Sequence, residues 1–150
     1  MKVLLQRVAR AGVRVDGVTV GAIGRGLLVF LGVEAGDTAD DAAWYADKTA
    51  ELRIFADDDG KMNRSVEEAG GAILVVSQFT LAASTRRGRR PSFETAAVPE
   101  EAEARYLDYV GALGRRGIET ATGRFRAMME VELVNDGPVT ILLDPRGDAR

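Results

Sequence analysis

The sequence predicts a mixed α+β domain in which two main helices pack on a layered β-sheet. Three observations predict it. Local patterns run in the order strands, helix, strand, strand, helix, strands; this matches neither a doubly wound parallel fold nor a helical bundle. The 150 residues amount to one domain, residues 1–150, and no linker, repeat or low-complexity tract divides them. Apolar residues make up 46% of the chain, enough for a hydrophobic core and too many for disorder.

The clearest local signal is Val13-Arg14-Val15-Asp16-Gly17-Val18-Thr19-Val20. Alternating valines flank Asp-Gly, which suits the positive φ angles of a two-residue type I′ hairpin turn. The Gly21–Gly26 segment has glycine spacing unlike a dinucleotide fingerprint and precedes a strand, so it reads as a connection between strands. Leu27–Leu31 is a buried strand. Thr38 with Asp41 three residues on forms a variant capping box that opens a helix ending near Leu52. Leu52-Arg53-Ile54-Phe55 is a short strand candidate. Asp57-Asp58-Asp59-Gly60 makes a turn that lacks the alternating ligand spacing of a calcium loop.

Ile73–Val76 is a second buried strand. Pro99 suits a first helical position, with Glu100 and Glu101 in the first turn. Ala102, Tyr106, Tyr109, Val110 and Leu113 share one helical face, and Gly114 reads as a stop. Met129, Val131 and Leu133 alternate with Glu130 and Glu132 in a half-buried strand. Asn135-Asp136-Gly137-Pro138 is expected to turn the chain into a last strand, Val139–Leu143. On residues alone Pro138 would be trans, because X-Pro bonds are cis in only ~5–6% of folded cases.

The chain has no Cys and no His. That removes disulfides, thiolate metal sites, a cysteine nucleophile, the Ser-His-Asp triad and the usual base near neutral pH. Chemistry must then run on hydroxyls, carboxylates, arginines, backbone groups or the substrate, and no metal or cofactor is expected. The N-terminus lacks the apolar stretch of a secretory signal. The longest apolar run, about seven residues, is far short of the ~20 a membrane helix needs. A cytoplasmic protein without membrane contact is expected. The net charge is -3, and 17 of the 20 basic residues are arginine. Any nucleic-acid contact should therefore be a local patch, and arginine favours bidentate contact with phosphate.

Two segments could carry chemistry. Ser77-Gln78-Phe79-Thr80-Leu81 follows the buried Ile73–Val76 strand. Ser77 and Thr80 offer hydroxyls, and Gln78 can donate N–H bonds toward an oxyanion; the same groups could simply cap the strand end. Arg86, Arg87, Arg89 and Arg90 lie in a Gly- and Pro-marked loop without an acid. They read either as a solvated charge run or as a phosphate contact.

Ser77-Gln78-Phe79-Thr80-Leu81 and Asn135-Asp136-Gly137-Pro138-Val139-Thr140 together resemble the two signature motifs of the D-aminoacyl-tRNA deacylase family. The likeness extends through Gln6-Arg7-Val8, Gly60-Lys61-Met62-Asn63, Arg89-Arg90-Pro91-Ser92-Phe93 and Gly123-Arg124-Phe125. It implies a homodimer with a barrel-like core and sites at the subunit interface. It further implies hydrolysis of the ester joining a D-amino acid to the 3′ end of tRNA. By that resemblance Ser77, Gln78 and Thr80 are the catalytic residues and line the pocket for the terminal adenosine. Gly137-Pro138 is a cis unit reaching into the partner subunit's site to hold the α-ammonium. Phe79 and Arg7 support that pocket, and Arg86, Arg87, Arg89 and Arg90 meet tRNA phosphates. Arg126 and Met128 depart from the family's pattern, Arg126 standing where a small residue is usual.

Overall fold

The computed structural model describes residues 1–144. The elements are β1 (Lys2–Val15), β2 (Val18–Ile23), β3 (Gly26–Gly32), α1 (Ala39–Glu51), β4 (Phe55–Ala56), β5 (Met62–Arg64), β6 (Ala72–Ser77), a 3₁₀ turn (Phe79–Ala82), α2 (Pro99–Arg115), β7 (Thr120–Thr122) and β8 (Glu130–Leu143). No helix among the described residues is long and apolar enough to cross a membrane.

β1 organises the main sheet. Along one edge it pairs antiparallel with β3 through Lys2–Val8 and with β2 through Ala11–Val15. β8 takes its other edge, from Val3 to Arg14. β6 adds to β3 in parallel, and β7 adds to β6 in parallel. The path β2-β1-β3-β6-β7 curls until its two ends meet. At Gly21 of β2, a β-carbon would lie 2.2 Å from the Thr122 carbonyl oxygen of β7. The hairpin between β1 and β2 has the expected turn, with Asp16 at φ 50° and Gly17 at φ 78°.

At β3 and β6 the curled sheet is buried on both faces, which explains why these strands read as unbroken apolar runs. Leu27, Val29, Leu31, Ile73 and Val75 face the helices and pack with Tyr45, Tyr109 and Leu113. Leu28, Leu74 and Val76 point the other way, into the barrel, with Val8, Val13 and Ile23. The strand period of two sorts one sequence into two cores.

Thr38 caps α1 through the predicted reciprocal box with Asp41. α1 and α2 are joined inside the core by Tyr109 Oη, which donates to Thr49 Oγ1 at 2.7 Å. Outside it, Arg116 gathers Glu67, Asp47 and Glu51 at 2.7–3.1 Å. The hydrogen bond from Arg116 holds the Glu67 carboxyl below its ordinary range. Tyr106 of α2 donates to the Val75 carbonyl at 3.0 Å, which fixes the helix over the end of β6. Burial pushes the Tyr106 hydroxyl up to about 12.

Several local expectations change. Leu52–Phe55 is not a strand; Leu52 is the C-cap of α1, and β4 begins only at Phe55. Gly114 does not stop α2, which ends at Arg115, and Gly117 takes the left-handed position with φ 79°. Gly21–Ile23 belong to β2 rather than to the connection. Asn135–Pro138 does not separate two strands. β8 is continuous in pairing with β1, but Gln6 to Val8 on β1 face Thr140 to Asn135 on β8. The residues between Asn135 and Thr140 therefore project from the ladder and return to the same partner in the same direction.

Replacing Gly21 with Ala drives a methyl into the Thr122 carbonyl where the sheet closes. We expect a loss of about 1–3 kcal/mol, read as a lower urea midpoint with an unchanged m-value.

Candidate active site

The strand β6 ends at Ser77, and the ladder continues one step as Gln78 N–H donates to the Leu31 carbonyl at 2.8 Å. The chain then winds into the 3₁₀ turn. Gly32 makes that turn possible: a β-carbon there would lie 2.9 Å from Leu81 Cβ and 3.0 Å from the Gln78 carbonyl. Ser77, Gln78, Phe79 and Thr80 are thereby set along one wall of a cavity of about 630 Å³. Val76, Ala97 and Ala102 form apolar parts of its lining, and Phe125 to Met129 line it as well.

Gln78 Nε2 donates to Thr80 Oγ1. Thr80 is exposed, Ser77 and Gln78 half-buried. Among the described residues no carboxylate lines the cavity, so none of them stands as a side-chain base beside either hydroxyl. Phe79 is 57% exposed, and its ring centroid lies 5.0 Å from that of Phe93.

The arginine loop begins at this aromatic pair. Ser84 and Ser92 exchange backbone hydrogen bonds of 2.8 and 2.9 Å, which pinches the segment closed. Gly88 at φ 67° lets the chain reverse. Arg86, Arg87, Arg89 and Arg90 are all exposed.

Arg7, Gly137 and Pro138 form a second constellation. The Gly137-Pro138 peptide is cis, as the resemblance implied and against the reading from residues alone. Arg7 Nε donates to the Asp136 carbonyl at 3.0 Å, and Arg7 Nη1 donates to the Ile54 carbonyl at 2.5 Å. Asn135 Oδ1 accepts the Val139 N–H at 3.0 Å, while Asn135 Nδ2 donates to Thr140 Oγ1 at 3.0 Å. Gly137 has φ 138°, and a β-carbon there would lie 3.0 Å from Val139 N and 3.1 Å from Arg7 Nη2. The bulge is thus held from both sides, with Gly137 and Pro138 exposed at its tip.

Neither Arg7, Gly137 nor Pro138 lines the cavity of Ser77–Thr80 in the same chain. The structure brings together each group of predicted residues, but not the two groups with each other. The positioning role of Asn135 was not read from the sequence; its signal was the Asn-x-Gly-Pro-x-Thr spacing, which lets one amide span the projection. The Asp57 turn is locally satisfied. Asp57 Oδ1 accepts the Lys61 and Asp59 N–H groups, each at 2.9 Å, and these bonds, Lys61's first, hold its carboxyl below the usual carboxylate range.

A family model described as D-Tyr-tRNA(Tyr) deacylase matches residues 4–144. A D-aminoacyl-tRNA deacylase of Syntrophotalea carbinolica is 63% identical over 144 residues, covering 96% of this chain and 97% of the relative. One from Geobacter sulfurreducens is 62% identical over 146 residues, covering 97% and 96%. A solved structure named c-Myc DNA Unwinding Element Binding Protein superposes with a TM-score of 0.90 at 40% identity, covering 96% of this chain and 98% of that one. A probable eukaryotic D-amino acid tRNA deacylase superposes at 0.79 with 18% identity, covering 95% and 97%, and shares the fold alone. Matched along nearly its whole described length, the chain belongs to the D-Tyr-tRNA(Tyr) deacylase family, whose curated relatives carry the name D-aminoacyl-tRNA deacylase.

Proposed function

We propose that this chain, as one domain spanning residues 1–150, hydrolyses the ester of D-aminoacyl-tRNA in the cytoplasm. The products are free D-amino acid and tRNA, and the activity proofreads chirality before translation. Family membership supports the reaction class. The observation that carries the reading is the pair of complementary parts: a hydroxyl- and amide-bearing cavity with no carboxylate among its described lining residues, and a backbone projection clamped by Arg7.

In the proposed assembly two copies pair about a twofold axis, so that each Gly137-Pro138 projection completes the other copy's cavity. Two features support this. The projection is exposed and lies outside its own chain's cavity lining. Among the described residues β8, which carries it, pairs with β1 only, and it presents Val134 and Leu142 to the surface.

The aminoacyl ester suits a site without histidine. Its α-ammonium withdraws electrons from the carbonyl, so the enzyme needs position and oxyanion stabilisation rather than a strong nucleophile. Gln78 and the backbone near Thr80 supply donors, and Ser77 and Thr80 orient the ester. The ribose 2′-OH of the substrate activates one water. A covalent Thr80 ester is disfavoured because Thr80 has no adjacent base. Chirality follows from exclusion. With ammonium and ester both fixed, a D side chain points outward and an L side chain meets the backbone projection. Glycine has no side chain to exclude, so glycyl-tRNA is also cleaved.

The basic loop would hold tRNA phosphates. A second reading, a nucleic-acid-binding module without turnover, is favoured by the name of the relative that superposes at 0.90. One assay separates them: D-tyrosyl-tRNA and glycyl-tRNA lose their ester with purified protein, and L-tyrosyl-tRNA does not. Binding without ester loss would select the module.

Thr80→Ala should lower turnover by less than ~10³-fold, with no acyl-protein trapped in wild type, while a 2′-deoxy substrate is cleaved far more slowly. Mass spectrometry of quenched reactions and single-turnover rates check both. Replacing Arg86, Arg87, Arg89 and Arg90 with Ala should weaken tRNA binding and reduce the slope of log K against log salt, measured by fluorescence titration at several ionic strengths.

A further inference from the structure

Among the described residues lining the cavity of Ser77–Thr80, Arg126 is the sole ionisable one. Its guanidinium makes no hydrogen bond or ion pair among the described residues, and the side chain is exposed. Its backbone is also unusual. Arg126 has φ 65°, a region that a β-carbon disfavours and glycine occupies freely. The position therefore presents a full positive charge to the cavity against its own local conformational preference.

On the reading proposed above, the substrate's terminal unit has charge at both ends. The phosphate on the 5′ side of the terminal nucleoside is anionic, and the α-ammonium of the ester is cationic. The nucleobase and ribose between them are neutral. One cation in an otherwise neutral wall attracts the first and repels the second. It discriminates between the two ways a long, dipolar substrate could enter the cavity.

We infer that Arg126 binds the phosphate 5′ to the terminal nucleoside and so orients the ester toward Gln78 and Thr80, with the ammonium directed away from the Arg126 side. The guanidinium fork matches phosphate oxygens. The role is binding and orientation, and no proton passes through Arg126.

The test compares three D-tyrosyl esters: on tRNA, on adenosine 5′-monophosphate, and on adenosine lacking the phosphate. Arg126→Gly should raise KM about 10-fold for the two phosphate-bearing substrates, leave kcat within a factor of two, and leave the nucleoside ester unaffected. Arg126→Lys should restore part of the affinity. Arg126→Gly relieves the left-handed backbone, so its Tm should equal or exceed that of wild type; Arg126→Gln provides a second neutral variant. Equal losses on all three substrates, or none, would overturn the assignment. D-Glutamyl-tRNA is run beside them, and a loss confined to it would also overturn the assignment by giving the guanidinium to a side-chain carboxylate. If wild type cleaves no D-aminoacyl ester at all, the parent reading fails with it; if wild type cleaves all three and the variants do not discriminate, this inference alone fails.

Discussion

A single guanidinium holds two layers of this protein in register. Arg7 stands on β1, the strand that pairs with three others, and its two donors reach carbonyls from separate parts of the chain, Asp136 in the projection of β8 and Ile54 after α1. A backbone bulge exposed to water would ordinarily sample many conformations. Here the bulge is closed by the Arg7 contact on one side and by the Asn135 amide on the other. Any function that depends on a fixed main-chain surface at Gly137-Pro138 depends first on these bonds.

The second constellation is fixed by different means. Ser77–Thr80 stand where a fully buried parallel strand leaves the core, and Gly32 gives the following turn its space. Burial of β6 on both faces supplies the rigidity, at roughly 1.5–3 kcal/mol per large apolar side chain. Polar groups are thereby held in place without a network of charged partners. That suits a reaction in which donors must be aimed but little acid–base strength is required.

The sequence made the two-state alternation of strands legible, along with the Asp16-Gly17 hairpin and both helix starts, because each rests on local chemistry: valine spacing, a turn dipeptide, a capping pair, Pro99. The helix end at Gly117 was not legible. Gly114 and Gly117 are equivalent as letters, and only the left-handed φ distinguishes them. Most of β1 and all of β7 escaped local reading, since their pairing is long-range and β7 has only three residues. The projection reads in the sequence as a turn between two strands because Asn-Asp-Gly-Pro has turn composition in either case; its return to the same side of β1 is a property of register. For the candidate site, two motifs nominate most of the residues, but their division into two groups within a chain could come only from the fold.

That same register has an evolutionary corollary. A hairpin loop sets the relation between the strands it joins, so changing its length shifts their side chains. The segment between Asn135 and Thr140 is different: the ladder resumes on the original neighbour. Residues could be inserted at its tip or removed from it while the flanking partners stay matched. The scaffold is thus indifferent to the length of this segment, and what ties that length down is the Asn135 amide, which reaches Val139 and Thr140 only at the present spacing.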